Sequence, residues 1–178
     1  MKRKHSSGWL VLVLLLVAAA NTQAQSWSFT GSMHQTRVYP TATLLQNGQV
    51  LIVGGYHRGL IVAVAELYNP ATGTFTTTGS LNTARYGQSA TLLNNGKVLI
   101  AGGASGVAST ELYDPSTGTF SVSASQSCAC GAEPTLLANG MVLFSGGFNG
   151  STAIATAELY RFHGLKRSGR TGRTFSCH

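Results

Sequence analysis

The sequence predicts an all-β fold of three antiparallel units with four strands each, the last unit short of its outer strand. Three observations predict it. A block of residues recurs with a period in the forties, each copy carries an Asn-Gly pair between short apolar runs, and residues 25–160 show almost no helix-period pattern. In register, Thr43-Leu44-Leu45 recurs as Thr91-Leu92-Leu93 and Thr135-Leu136-Leu137, and Asn47-Gly48 as Asn95-Gly96 and Asn139-Gly140. Gly54-Gly55 returns as Gly102-Gly103 and Gly146-Gly147, at spacings of 48 and 44 residues. Glu66-Leu67-Tyr68 returns as Glu111-Leu112-Tyr113 and Glu158-Leu159-Tyr160, and Thr72-Gly73-Thr74-Phe75 as Thr117-Gly118-Thr119-Phe120.

Each element of the block has a physical reason. The apolar runs on either side of Asn-Gly read as the two strands of a hairpin, with both turn residues expected at positive φ, which Asn tolerates and Gly favours. The Gly doublet ends the second strand, where bulky side chains would hinder close backbone approach. Glu-Leu-Tyr forms a third strand, which stops at Asn69-Pro70 or Asp114-Pro115 because proline cannot continue a central ladder. The Thr-Gly pair turns the chain, and Phe75 or Phe120 opens a fourth strand. Four short antiparallel strands per copy describe one blade of a β-propeller.

The doublets, the tyrosines Tyr68, Tyr113 and Tyr160 after loops of varying length, and Phe75 and Phe120 seven residues beyond the first two tyrosines resemble the kelch repeat. That family usually has Trp in the last position; Phe is a mild departure, since the slot wants a large, flat, apolar group. Trp27 takes the same slot one copy earlier, four residues before Gly31 as Phe75 is four before Gly79. The resemblance covers about Trp27 to Tyr160 and is nearest to secreted kelch proteins similar to the central propeller of galactose oxidase. It implies an incomplete kelch-type β-propeller of three blades. In the third copy Arg167 stands where the aromatic belongs and Phe162 where the proline belongs, so that blade is expected to lack its outer strand. Closed propellers have about 4 to 8 blades. The chain is therefore expected to be a piece of a longer propeller or to assemble with other chains, and its open blade edges favour self-association. Trp27 to Thr30 is a candidate outer strand for the last blade.

The ends of the chain differ from its middle. Lys2, Arg3 and Lys4, the apolar run Trp9 to Ala20 and the polar stretch Asn21 to Ala24 have the layout of a secretory signal peptide, 1–24. As a helix the apolar run covers roughly 18 Å, short of a ~30 Å hydrocarbon core, so cleavage is expected rather than stable membrane insertion. Blades occupy 25–160. Residues 161–178 read as a basic, disordered tail, with a lost reading frame as the alternative. The net charge of +7 sits in these ends. From Gln25 to Tyr160 there are four cations (Arg37, Arg58, Arg85, Lys97) against five carboxylates (Glu66, Glu111, Asp114, Glu133, Glu158), a net of −1. A nucleic-acid binder needs a basic patch on its fold, and this balance excludes one. Cys128, Cys130 and Cys177 are an odd number, so at least one thiol has no partner within the chain. Cys-x-Cys alone falls short of a four-ligand zinc site, and no metal or other cofactor is expected.

Strand order locates the working face. In an up-and-down blade the hairpin turns lie at one end; the loop between second and third strands and the link to the next blade lie at the other. The second end gathers the stretches that differ between copies: Tyr56 to Val62, Ala104 to Val107, Phe148 to Thr152, and the links Gly31 to Pro40, Gly79 to Gln88 and Ala124 to Pro134. Loops on a rigid scaffold are where recognition resides. Tyr56, His57 and Arg58 offer an aromatic platform and donors suited to sugars or acidic groups, and Arg37, Arg85 and Tyr86 join them as binding candidates. Kelch-like blades often hold such arginines structurally, and pairing of Arg37 and Arg85 with a Glu of the third strand is the favoured role. The third copy has Cys130 at the nearest equivalent position.

The leading expectation is a secreted module, extracellular or periplasmic, that binds a protein or a glycan. An enzyme resembling galactose oxidase or a sugar-acid epimerase is the second class. The copper-radical chemistry implied there needs a Tyr/His ligand set and a Tyr–Cys crosslink, whereas residues 25–160 hold only His34 and His57. No Ser-His-Asp arrangement is readable. The third class is a non-functional remnant of a longer gene.

Overall fold

The computed structural model describes residues 26–104, 107–126, 133–148 and 151–162. The expected signal peptide, the tail beyond Phe162 and all three cysteines lie outside the described residues. The described chain is all-β, with no helix.

Sheet I orders its strands β1 (Thr41–Leu44), β2 (Val50–Val53), β5 (Val64–Asn69) and β6 (Thr74–Ser80). A two-stranded hairpin, β3 (Tyr56–His57) and β4 (Leu60–Ile61), is inserted between β2 and β5. Sheet II repeats the order with β7 (Ser89–Leu92), β8 (Val98–Ala101), β9 (Thr110–Asp114) and β10 (Thr119–Val122). Sheet III holds β11 (Glu133–Leu136), β12 (Val142–Ser145) and β13 (Ala157–Tyr160), with no fourth strand among the described residues. Every pairing is antiparallel, and the register repeats: Thr43 faces Leu51, Thr91 faces Leu99, and Thr135 faces Leu143.

The Asn-Gly turns differ from expectation. Only the glycine takes positive φ (83° at Gly48, 82° at Gly96, 80° at Gly140); Asn47, Asn95 and Asn139 do not. The amide of Gly48 donates to the carbonyl of Leu45 (3.0 Å) and that of Leu45 to Gln49 (2.8 Å), which makes a three-residue loop closed by a glycine bulge. The asparagine serves another purpose. Its Oδ1 accepts the amide two residues on, at 3.1 Å in all three copies, from Gln49, Lys97 and Met141.

The glycine doublets behave as the sequence predicts. All six residues have positive φ, and a Cβ on Gly54 would lie 2.5 Å from the carbonyl oxygen of Arg85. The doublet thus lets the link to the next sheet cross the end of β2, where Gly55 donates its amide to that carbonyl (2.9 Å).

The sheets stack face to face, with β1 beside β7 and β7 beside β11. Side chains of β8 alternate between two cores: Val98 and Ile100 join Leu45, Leu51, Val53, Ala65 and Leu81 of sheet I, while Leu99 and Ala101 join Val142 and Phe144 of sheet III. All four β8 residues are buried as a result. Cross-strand aromatic pairs recur, Tyr68 on Phe75 (centroids 4.8 Å apart) and Tyr113 on Phe120 (4.9 Å). Each repeat tyrosine also bonds a hydroxyl from the preceding copy: Tyr68 to Thr30 (2.8 Å), Tyr113 to Thr78 (2.9 Å) and Tyr160 to Ser123 (2.8 Å). These residues are packing elements.

Candidate binding surface

The end of the sheets where the glycine doublets lie is built on two copies of one polar cassette. Arg37 reaches back from the link before β1 and places Nη2 2.7 Å from Glu66 Oε1, while its Nη1 donates to the carbonyls of Gly54 (3.0 Å) and Val64 (2.6 Å). Arg85 does the same with Glu111 (2.8 Å) and the carbonyls of Gly102 (3.1 Å) and Ser109 (2.6 Å). Both oxygens of each carboxylate accept further bonds from the backbone. Glu66 accepts the amides of His34 (2.8 Å) and Gln35 (3.1 Å), and Glu111 those of Asn82 (2.8 Å) and Thr83 (3.0 Å). Burial alone would raise both carboxyl pKa values, but these amide bonds, the side chains of His34 and Asn82 and the two arginines outweigh it and hold both below the ordinary range.

Arg37 and Arg85 therefore leave the set of ligand-contacting candidates. Their guanidinium groups are shut off from solvent and fully engaged, so they brace the loops from beneath. This is the pairing that the sequence favours for them.

Above the cassettes the links and loops converge. Val38 and Tyr56 exchange backbone hydrogen bonds (2.9 and 2.8 Å), and Ala104 donates to Tyr86 (2.8 Å). Three tyrosines from three segments meet as a consequence: Tyr86 sits 5.3 Å from Tyr56 and 6.4 Å from Tyr39, centroid to centroid, with tilted rings. Tyr39 is 69% exposed. Ile61, opposite Tyr56 on the hairpin, and Val38 add exposed apolar surface. His57 Nδ1 lies 2.8 Å from the hydroxyl of Thr36, so the ring is held beside the patch. Arg58 stands exposed at the hairpin tip; its φ of 46°, followed by 88° at Gly59, fits a two-residue turn with both φ positive.

Tyr56, His57, Arg58 and Tyr86, all candidates from the sequence, thus share one surface. Tyr39 joins them without a motif of its own, although the sequence holds a signal for it. Counting two residues on from Arg37 gives Tyr39, and two on from Arg85 gives Gly87, whose φ is 61°. Tyr39 adopts 55° in the same place. A tyrosine occupies a slot shaped for glycine, and it precedes Pro40, which disfavours that conformation further. Such a residue costs about 1–2 kcal/mol, and strain of this kind clusters at ligand sites.

At the opposite end an open groove of about 460 Å³ runs between the Asn-Gly turns of sheets I and II. Its charged groups, Lys97 and Asp114, neutralise each other at 2.7 Å. The Lys97 bond and those from Ser116 lower the Asp114 carboxyl to about 2. The groove is walled by turn residues whose hydrogen bonds close the hairpins, and it carries no aromatic side chain, so the tyrosine surface is the better equipped of the two. Among the described residues no three His, Cys, Asp or Glu side chains gather as metal ligands. No family model matches the chain, nor does any curated protein to a significant degree.

Proposed function

We propose that this chain is a secreted kelch-type module, three blades of an incomplete β-propeller, that binds a carbohydrate or protein ligand through the tyrosine surface. One observation carries the reading: Tyr39, Tyr56 and Tyr86 meet on a rigid, internally braced loop end, with Tyr39 held there against its backbone preference. Flat rings with phenolic edges suit the C–H faces and hydroxyls of sugars and the apolar cores of protein interfaces. The repeated register, the glycine doublets and the tyrosine–phenylalanine pairs support the kelch reading, and the leader-like first 24 residues support export.

A glycan array and a panel of secreted proteins probed with the purified chain test it. Tyr56→Ala and Tyr86→Ala are expected to weaken the strongest response at least about tenfold, while Asn95→Ala, at the opposite end, leaves it unchanged. A response indifferent to both tyrosine substitutions would overturn the assignment of the surface.

A further inference from the structure

We infer that the chain associates with a second copy of itself, head to tail, and that each copy supplies the fourth strand of the other's sheet III. Sheet III and the segment Trp27–Thr30 are complementary fragments of one unit. Sheet III has its first three strands, and β13 has no outer partner among the described residues. Trp27–Thr30 belongs to no sheet among the described residues, yet it stands where an outer strand would. The hydroxyl bond of Thr30 to Tyr68 (2.8 Å) and the amide bond of Gly31 to Gly73 (2.9 Å) reproduce those of Thr78 to Tyr113 (2.9 Å) and Gly79 to Gly118 (3.0 Å), where Thr78 and Gly79 belong to the outer strand of sheet I. The segment therefore lies against sheet I as β6 lies against sheet II.

Its side chains are left uncovered: Trp27 is 103% and Phe29 107% exposed. In sheets I and II the equivalents of Trp27, Phe75 and Phe120, stack on Tyr68 and Tyr113. Carrying that register over pairs Trp27 with Tyr160 and Ser28 with Leu159, as Thr76 pairs with Leu67 and Ser121 with Leu112.

The broad faces match as well. Leu159 is 54% exposed where Leu112 is 8% exposed under sheet III, and Leu44 is 62% exposed where its counterpart Leu92 packs into the core between sheets I and II. Sheet III of one copy against sheet I of another repeats the interface that already joins sheets within the chain. The occupant cannot be the chain's own segment. Thr30 and Gly31 tie that segment to sheet I, and sheet II stands between sheet I and sheet III. Sequence departures in the third copy agree with a strand supplied from outside. Leu165 replaces the turn glycine that would lead to a fourth strand. Ala124 replaces Gly31 and Gly79, at which a Cβ would come within 2.2 and 2.3 Å of the turn carbonyl.

Two copies joined at both ends give six sheets, within the range of closed propellers, and pair the outer edge of each sheet III among the described residues. That count rests on the propeller reading; the head-to-tail contact does not.

The decisive measurement is crosslinking between copies, with Cys128, Cys130 and Cys177 changed to serine. Ser28→Cys and Leu159→Cys chains, purified separately and mixed under mild oxidation, are expected to form a covalent heterodimer, and neither alone should do so through this contact. Light scattering of the unaltered chain should give the mass of two copies, and Trp27→Ser should raise the dimer dissociation constant at least about tenfold with an unchanged β-sheet spectrum. A folded chain that stays monomeric or fails to crosslink overturns the inference. Crosslinks with a ladder of growing masses would retain the contact and overturn the closed pair, and with it the six-sheet ring.

Discussion

Leu112 in the middle sheet is 8% exposed, whereas Leu159, its counterpart in sheet III, is 54% exposed. The two residues stand in the same triplet at the same register, so local sequence does not explain the difference. What differs is the neighbourhood. Sheet II is covered on both faces and has all four strands; among the described residues sheet III is covered on one face and has three. The comparison teaches that this repeat specifies a sheet with two sticky faces, and that burial of any one copy is decided by the copies beside it.

The comparison can be broken most sharply at the polar cassette. Arg85→Ala strands Glu111, 1% exposed, without its cation and should cost about 3–5 kcal/mol, seen as a large fall in the urea midpoint. Core truncation comes next. Leu112→Ala should cost about 2–5 kcal/mol, and Leu159→Ala well under half of that in the dissociated chain. Equal losses at the two leucines would show that sheet III is covered in solution.

A smaller effect separates strain from recognition at the tyrosine surface. Tyr39→Gly should be more stable than Tyr39→Ala by about 1 kcal/mol, because only glycine takes φ near 55° without penalty. Both should lose ligand equally, and thermal unfolding beside a binding titration reads the two effects apart.

The smallest effects are those of pH. Glu66 and Glu111 have folded pKa values below their unfolded value near 4.5, so their stabilisation is complete above that pH and is lost as pH falls through the folded values. Asp114, lowered from 3.8 to about 2, adds a contribution present above 3.8 and lost as pH falls through 2. Urea midpoints measured from pH 6 down to 2 should decline below about 4.5, and Asp114→Asn should flatten only the lowest part of the curve.

Much of this architecture is legible in the sequence because its signals are local and recur. A doublet of glycines, an Asn-Gly pair and a Tyr followed seven residues later by Phe each act over a few residues, and agreement among copies fixes the strand order. The turn geometry differs from expectation because Asn-Gly fits two loop lengths, and the bond of the Leu45 amide to the Gln49 carbonyl, with positive φ at Gly48 alone, marks the longer one. The candidate site is legible in part. Tyr56 and Tyr86 fall in loops that the strand order brings to one end, but their contact depends on how Val38 and Ala104 bond across segments more than a dozen residues apart. Tyr39 is not legible by itself, because a lone tyrosine in a link carries no pattern until it is set against Gly87.

The alternation along Val98–Ala101 has one more consequence. Because successive side chains of this strand belong to different cores, neither apolar cluster can come apart without loosening a strand that the other depends on. Amide hydrogens of Leu99 and Ile100 should exchange with deuterated solvent only through global opening, and protection should fall toward both outer sheets. Four residues near the centre of the chain thereby couple the opening of one apolar cluster to that of the other.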